Sequence, residues 1–139
     1  MTKIENVRFS DNRIYVTLND GTEKSRPLEA FPILMDASDA ERNDFAIWAD
    51  GQSIRWDGID EDVHISSFDE CSEPNRDNVV AKMIDSIGVI DLNAFAKMIG
   101  MKKVKLDLFR YGIWTPSVES VQKIKDGLRQ ISNRIVAVL

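Results

Sequence analysis

The chain has 139 residues, of which 43% are hydrophobic and 29% charged. That balance suits one ordinary globular domain or two small ones and excludes a largely disordered chain. No apolar run approaches the ~18–20 residues of a membrane span, residues 1–10 lack a signal-peptide core, and the single Cys71 cannot close an internal disulfide, so a cytoplasmic protein is expected.

The net charge of −5 hides a division. Residues 1–74 carry 7 Lys and Arg against 17 Asp and Glu, whereas residues 75–139 carry 11 against 6. The two parts therefore differ in sign, −10 and +5, and such asymmetry is a hint of a nucleic-acid-binding segment joined to something else. The polar stretch 68–77, with Pro74, lacks either helical or strand periodicity and reads as a linker or a helix entry. An acidic domain over 1–74 and a basic one over 75–139 are expected.

In the first part, residues 13–18 alternate with β-branched and aromatic side chains, and Asp20-Gly21 turns the chain toward a returning strand near 22–26. Residues 5–9 supply a third strand. Residues 29–36 read as one short helix, with Pro32 tolerable only in its first turn. Ser38 can cap a second, with Glu41 three residues on. Residues 45–48, the turn Asp50-Gly51 and residues 53–56 form another hairpin. The fold class expected is a small α+β domain, an antiparallel sheet with short helices.

The second part is helical. Val79, Val80, Met83, Ile84 and Ile87 share a face, and Gly88 suits a left-handed helix stop. Asp91 can cap a helix over 92–99 with Phe95, Ala96 and Ile99 inward and Gly100 after it. A third helix over 103–111 buries Leu106 and Phe109 and ends at Gly112. A fourth starts near Ser117 with Val118, Val121, Ile124 and Leu128, continuing through Ile131 and Ile135 with strain at Gly127.

Two helices joined through a glycine must cross closely to present the second to a DNA major groove. Ala96 is small at the crossing, Gly100 permits the turn, Leu106 buries the second helix, Gly112 ends it and Pro116 opens the next. On these positions residues 75–132 resemble the lambda repressor-like (Xre/Cro) helix-turn-helix family. Leu92 stands where that family often has glutamine, and Lys102 where it usually has a capping serine. The resemblance implies an all-α DNA-binding domain whose groove-facing residues are Lys102, Lys103, Lys105, Asp107 and Arg110, with double-stranded DNA as partner and a homodimer as the working form.

Phe31, Pro32 and Leu34, followed by Ile54, Trp56 and the run Asp60-Glu61-Asp62-Val63, resemble the small bacterial domain of unknown function 2442 over residues 7–68. That resemblance implies an antitoxin-like partner of a small toxin, and the −10 charge of this part suits a basic one. Asp57, Asp60, Glu61, Asp62 and His64 lie within eight residues but lack the spacing and glycine of a calcium loop, and read as a solvated turn. Cys71, among Asp69, Glu70 and Glu73, lacks the cationic neighbours that activate a thiolate. Trp48, Trp56 and Trp114 read as packing or interface anchors. With no phosphate loop, nucleophile elbow or Cys/His metal spacing, a non-enzyme without cofactor or metal is expected. The expected function is DNA-binding transcriptional regulation, with the acidic domain for dimerisation or partner binding; the alternative is the antitoxin-like interaction module.

Overall fold

The computed structural model describes residues 1–88 and 90–139, and its chain divides into two compact units, Met1–Glu73 and Pro74–Leu139.

In the first unit, β1 (Ile4–Ser10), β2 (Arg13–Leu18) and β3 (Glu23–Pro27) form an antiparallel meander in that order. Its register sets Ile4 opposite Leu18, Val7 opposite Val16 and Phe9 opposite Ile14. The period of two along a strand then puts Ile14, Val16 and Leu18 on one face, where all are buried. A second antiparallel sheet follows, β4 (Ala46–Trp48), β5 (Ser53–Trp56) and β6 (Glu61–His64), so there are two three-stranded sheets rather than one. The core joins Ile14, Val16, Leu34, Ile54, Val63 and Phe68 around Trp56, which is 1% exposed and donates its indole N–H to the Arg42 carbonyl at 2.8 Å.

Two expectations for this unit are corrected. The single helix over 29–36 is a 3₁₀ turn, Leu28–Ala30, and α1 (Pro32–Asp36), broken at Phe31 with φ −131° and ψ 78°. Proline disfavours the helical region for the residue before it, while its own missing N–H costs nothing at the first helical position. The acidic run read as a solvated turn is mostly strand: Asp60 turns the chain at φ 51°, and Glu61, Asp62 and His64 belong to β6. Only Val63 of that strand is buried, so its alternation is hidden behind Glu61, Asp62 and His64. In chain order α2 (Asp39–Asn43) follows α1 and precedes β4, with the expected capping box: the Glu41 N–H donates to Ser38 Oγ at 3.1 Å and the Ser38 N–H to Glu41 Oε1 at 2.9 Å.

The second unit is helical: α3 (Val79–Asp85), α4 (Leu92–Met98), α5 (Lys103–Arg110) and α6 (Val118–Val138). Asn78, Asp91 and Ser117 cap α3, α4 and α6 by accepting backbone N–H bonds. Val80, Ile84, Phe95, Ala96, Leu106, Phe109 and Ile124 make the core. Val79 and Val118, expected inward, are 48% and 87% exposed, and each lies about 100° or more around its helix from the buried positions. Ile135 is also exposed. Gly88 does not take the left-handed conformation, because α3 has already stopped at Asp85.

Candidate nucleic-acid interface

The α4–α5 connection is a tight turn held by two backbone hydrogen bonds. Gly100 adopts φ +71°, its N–H donates to the Lys97 carbonyl at 3.2 Å, and the Met101 N–H donates to the Ala96 carbonyl at 2.9 Å. This paired pattern satisfies the last carbonyls of α4 and turns Met101 into the core, where it is 8% exposed. The next residue, Lys102, occupies the N-cap of α5 and supplies no capping hydrogen bond. At its far end α5 closes the same way: Gly112 adopts φ +76° and the Ile113 N–H reaches the Leu108 carbonyl at 3.0 Å.

Helix α5 offers solvent little beyond its first turn. Leu106, Asp107, Leu108 and Phe109 are all buried, while Lys102 and Lys105 are exposed. Lys103 is half-buried and donates from Nζ to Asp107 Oδ2 at 2.7 Å. Asp107 was expected to face a groove; it is instead 1% exposed. Its charge is held between Lys103 one turn before and Arg110, whose Nε is 3.9 Å from Oδ1. Arg110 is half-buried at the opposite end of the helix, about 12 Å along the axis from Lys102 at 1.5 Å per residue. The five expected residues therefore separate into an exposed pair, Lys102 and Lys105, and a partly enclosed ionic cluster, Lys103, Asp107 and Arg110.

A residue from another helix completes the exposed group. Gly127 of α6 is packed so closely that a Cβ there would lie 2.4 Å from Ile99 Cγ2 and 3.3 Å from the Phe95 ring. The position read as helix strain is thus a crossing point, which brings α6 against the end of α4. One turn earlier on α6, Lys123 joins Gly100, Met101, Lys102, Lys105 and Ser120 around a shallow cleft of about 260 Å³. Lys102, Lys105 and Lys123 have no carboxylate partner among the described residues. Cations at an uncapped helix N-terminus oppose the local dipole, an arrangement that an anion relieves.

The acidic residues of the first unit do not converge. Asp57 pairs with Arg55 at 3.3 Å, and His64 Nδ1 accepts the Ser66 N–H at 3.1 Å. Glu61 is half-buried, and desolvation, with Asp62 and Asp60 adding repulsion, raises its pKa above the ordinary value. Hydrogen bonds from Ser38 lower that of Glu41, and those from Thr22 lower that of Asp20. No group of three His, Cys, Asp or Glu among the described residues is placed to hold a metal ion. Among them, too, no helix is long and apolar enough to cross a membrane. Trp56 is the core tryptophan, while Trp48 and Trp114 are 54% and 48% exposed.

An α+β unit followed by a small helical unit with a basic helix start defines the class of molecule. Residues 4–68 match the family described as "Protein of unknown function (DUF2442)". Among solved structures, a protein of unknown function from Rhodospirillum rubrum ATCC 11170 is similar at 22% identity, covering 48% of this chain and 83% of that one, with a TM-score of 0.44. A protein from Nitrosomonas europaea ATCC 19718 named "Putative DNA Binding Protein" is similar at 11% identity, covering 89% of this chain and 84% of that one, with a TM-score of 0.36. No curated protein matches the chain.

Proposed function

We propose that the protein is a DNA-binding regulator in which α4 and α5 act as a lambda repressor-like helix-turn-helix. In this reading the first turn of α5 enters the major groove of double-stranded DNA. Lys102 and Lys105 meet phosphates or guanine edges, and Lys123 clamps the backbone beside them. Lys103 and Arg110 shape the helix through Asp107. The protein works as a homodimer and acts by binding alone, without catalysis or cofactor. The observation that carries this reading is the convergence of Lys102, Lys105 and Lys123, without a carboxylate partner among the described residues, on the uncapped start of α5. Titrating a fluorescent duplex with the full chain tests it. Binding that weakens steeply with added salt is expected, and no binding at low salt overturns it.

A second reading has an observation of its own. Each of the seven Lys and Arg side chains of Met1–Glu73 pairs with a carboxylate of that unit, at 2.5 to 3.6 Å, within a net charge of −10. Such a surface suits a small basic partner protein, as the antitoxin-like alternative requires. Co-purification with a basic partner that dissociates at high salt is its expected signature.

A further inference from the structure

The four sheet edges of the first unit are not alike. β1 carries Glu5 and Arg8 and a register irregularity between Ile4 and Asn6; β3 carries Glu23, Lys24, Arg26 and Pro27; β6 carries Glu61 and Asp62. Charges, prolines and bulges of this kind blunt an edge against further pairing. β4 has none of them. It reads Ala46-Ile47-Trp48, pairs only with β5, and all three residues are exposed, Trp48 by 54%. Among the described residues no backbone hydrogen bond other than those to β5 reaches these three.

This edge is also held in shape. The turn after it is pinned where the Gly51 carbonyl accepts the Ile4 N–H at 2.8 Å and where Lys3 pairs with Asp50 at 3.1 Å. The Arg55 guanidinium lies 4.9 Å from the centre of the Trp48 ring, orienting the indole. Asp44 and Asp50 bracket the strand two residues before and two after it, and Asp44 has no cation partner among the described residues.

We propose that β4 is the docking edge for an extended, basic segment of a partner protein, which adds as a further strand beside it. Backbone groups of the added strand pair with those of β4; because Ile47 and Trp48 lie on opposite faces of the sheet, its apolar side chains cover Ile47 on one face, while its lysines or arginines lie over the Trp48 indole on the other and are drawn by Asp44. Charge selects this occupant over a second copy, which would bring two units of −10 together. The inference rests on the second reading above and supplies its site.

The test uses the full chain, isotope-labelled, titrated with a synthetic peptide alternating valine and lysine and with one alternating valine and glutamate. The lysine peptide is expected to shift the amide signals of Ala46, Ile47 and Trp48 and to slow their hydrogen exchange, while the glutamate peptide does neither. Ile47→Pro, tolerable on an edge strand, is expected to weaken binding about tenfold through a lost main-chain bond. Trp48→Lys, which leaves the backbone intact and repels the lysines, should weaken it as well. Shifts from the lysine peptide confined to other residues overturn the site while leaving a basic partner in place. No shift with either peptide overturns both. Equal shifts from both peptides, or a dimer of the free chain abolished by Ile47→Pro, also contradict the proposal.

Discussion

In Met1–Glu73 every lysine and arginine is engaged by a carboxylate of the same unit; in Pro74–Leu139, seven of eleven have no carboxylate partner among the described residues. Arg26 is buried, but most pairs of the sheet unit have at least one partner in solvent, and such pairs contribute only about 0–1 kcal/mol each, so stability accounts for little of the difference. Its effect is on the field each unit presents. Local pairing cancels the positive charge of the sheet unit and leaves a surplus of carboxylates, whereas the helical unit keeps its cations available to an external anion. One chain thus offers a surface that repels phosphate and another that attracts it.

The comparison can be broken first at the backbone. Gly112 adopts φ +76°, and a Cβ there would lie 2.1 Å from the Asn75 carbonyl oxygen. Gly112→Ala should therefore cost about 3 kcal/mol or more, read as a lower melting temperature and loss of helical signal with the sheet unit's tryptophan environment retained. Side-chain truncation comes next. Leu106→Ala, at a position 0% exposed, should cost ~2–5 kcal/mol and weaken DNA binding. Trp56→Ala should cost ~3–5 kcal/mol in the sheet unit and leave DNA binding nearly intact. Denaturation and duplex titration of the two variants check this contrast.

A subtler change sets stability against function at one residue. Lys102 occupies an N-cap without capping. Lys102→Ser should add ~0.5–2 kcal/mol of stability by capping α5, yet weaken DNA binding and flatten its salt dependence by about 0.9. Chemical denaturation and salt titration of the same preparation should move in opposite directions.

The smallest expected effect is one of pH. Burial raises the pKa of Glu61 in the folded chain, so the folded state holds that proton more tightly than the unfolded state. Its contribution favours folding in acid and is lost as pH rises from the ordinary glutamate range through the raised value. Glu61→Gln should slightly raise the melting temperature at neutral pH, and the difference from the natural chain should vanish in acid.

What could be read in the sequence was local. Asp20-Gly21, the box at Ser38 and Glu41, and Asp91 ahead of α4 act over three or four residues, and each forms as expected. The missed features depend on distant or unusual partners. β6 gives the core only Val63, too little apolar alternation to stand out among acidic neighbours. Asp107 looks solvated by residue type; cations three and four residues away, Arg110 and Lys103, were the available sign that it is buried as an ionic cluster. Lys123 joins Lys102 and Lys105 only because α6 crosses α4 closely at Gly127, which no local pattern encodes.

The central claim, that unpaired cations of the helical unit and not the paired ones of the sheet unit hold DNA, is tested most directly by two triple variants of the full chain. Lys102, Lys105 and Lys123 are changed to Ala in one, and Arg8, Lys24 and Arg55 in the other. Each is titrated against random-sequence duplex at several salt concentrations. At about 0.9 per phosphate contact, the first variant should flatten the slope of log K against log salt by about two to three units per subunit. The second should leave the slope unchanged. Equal flattening by both, or an unchanged slope in the first, would contradict the account.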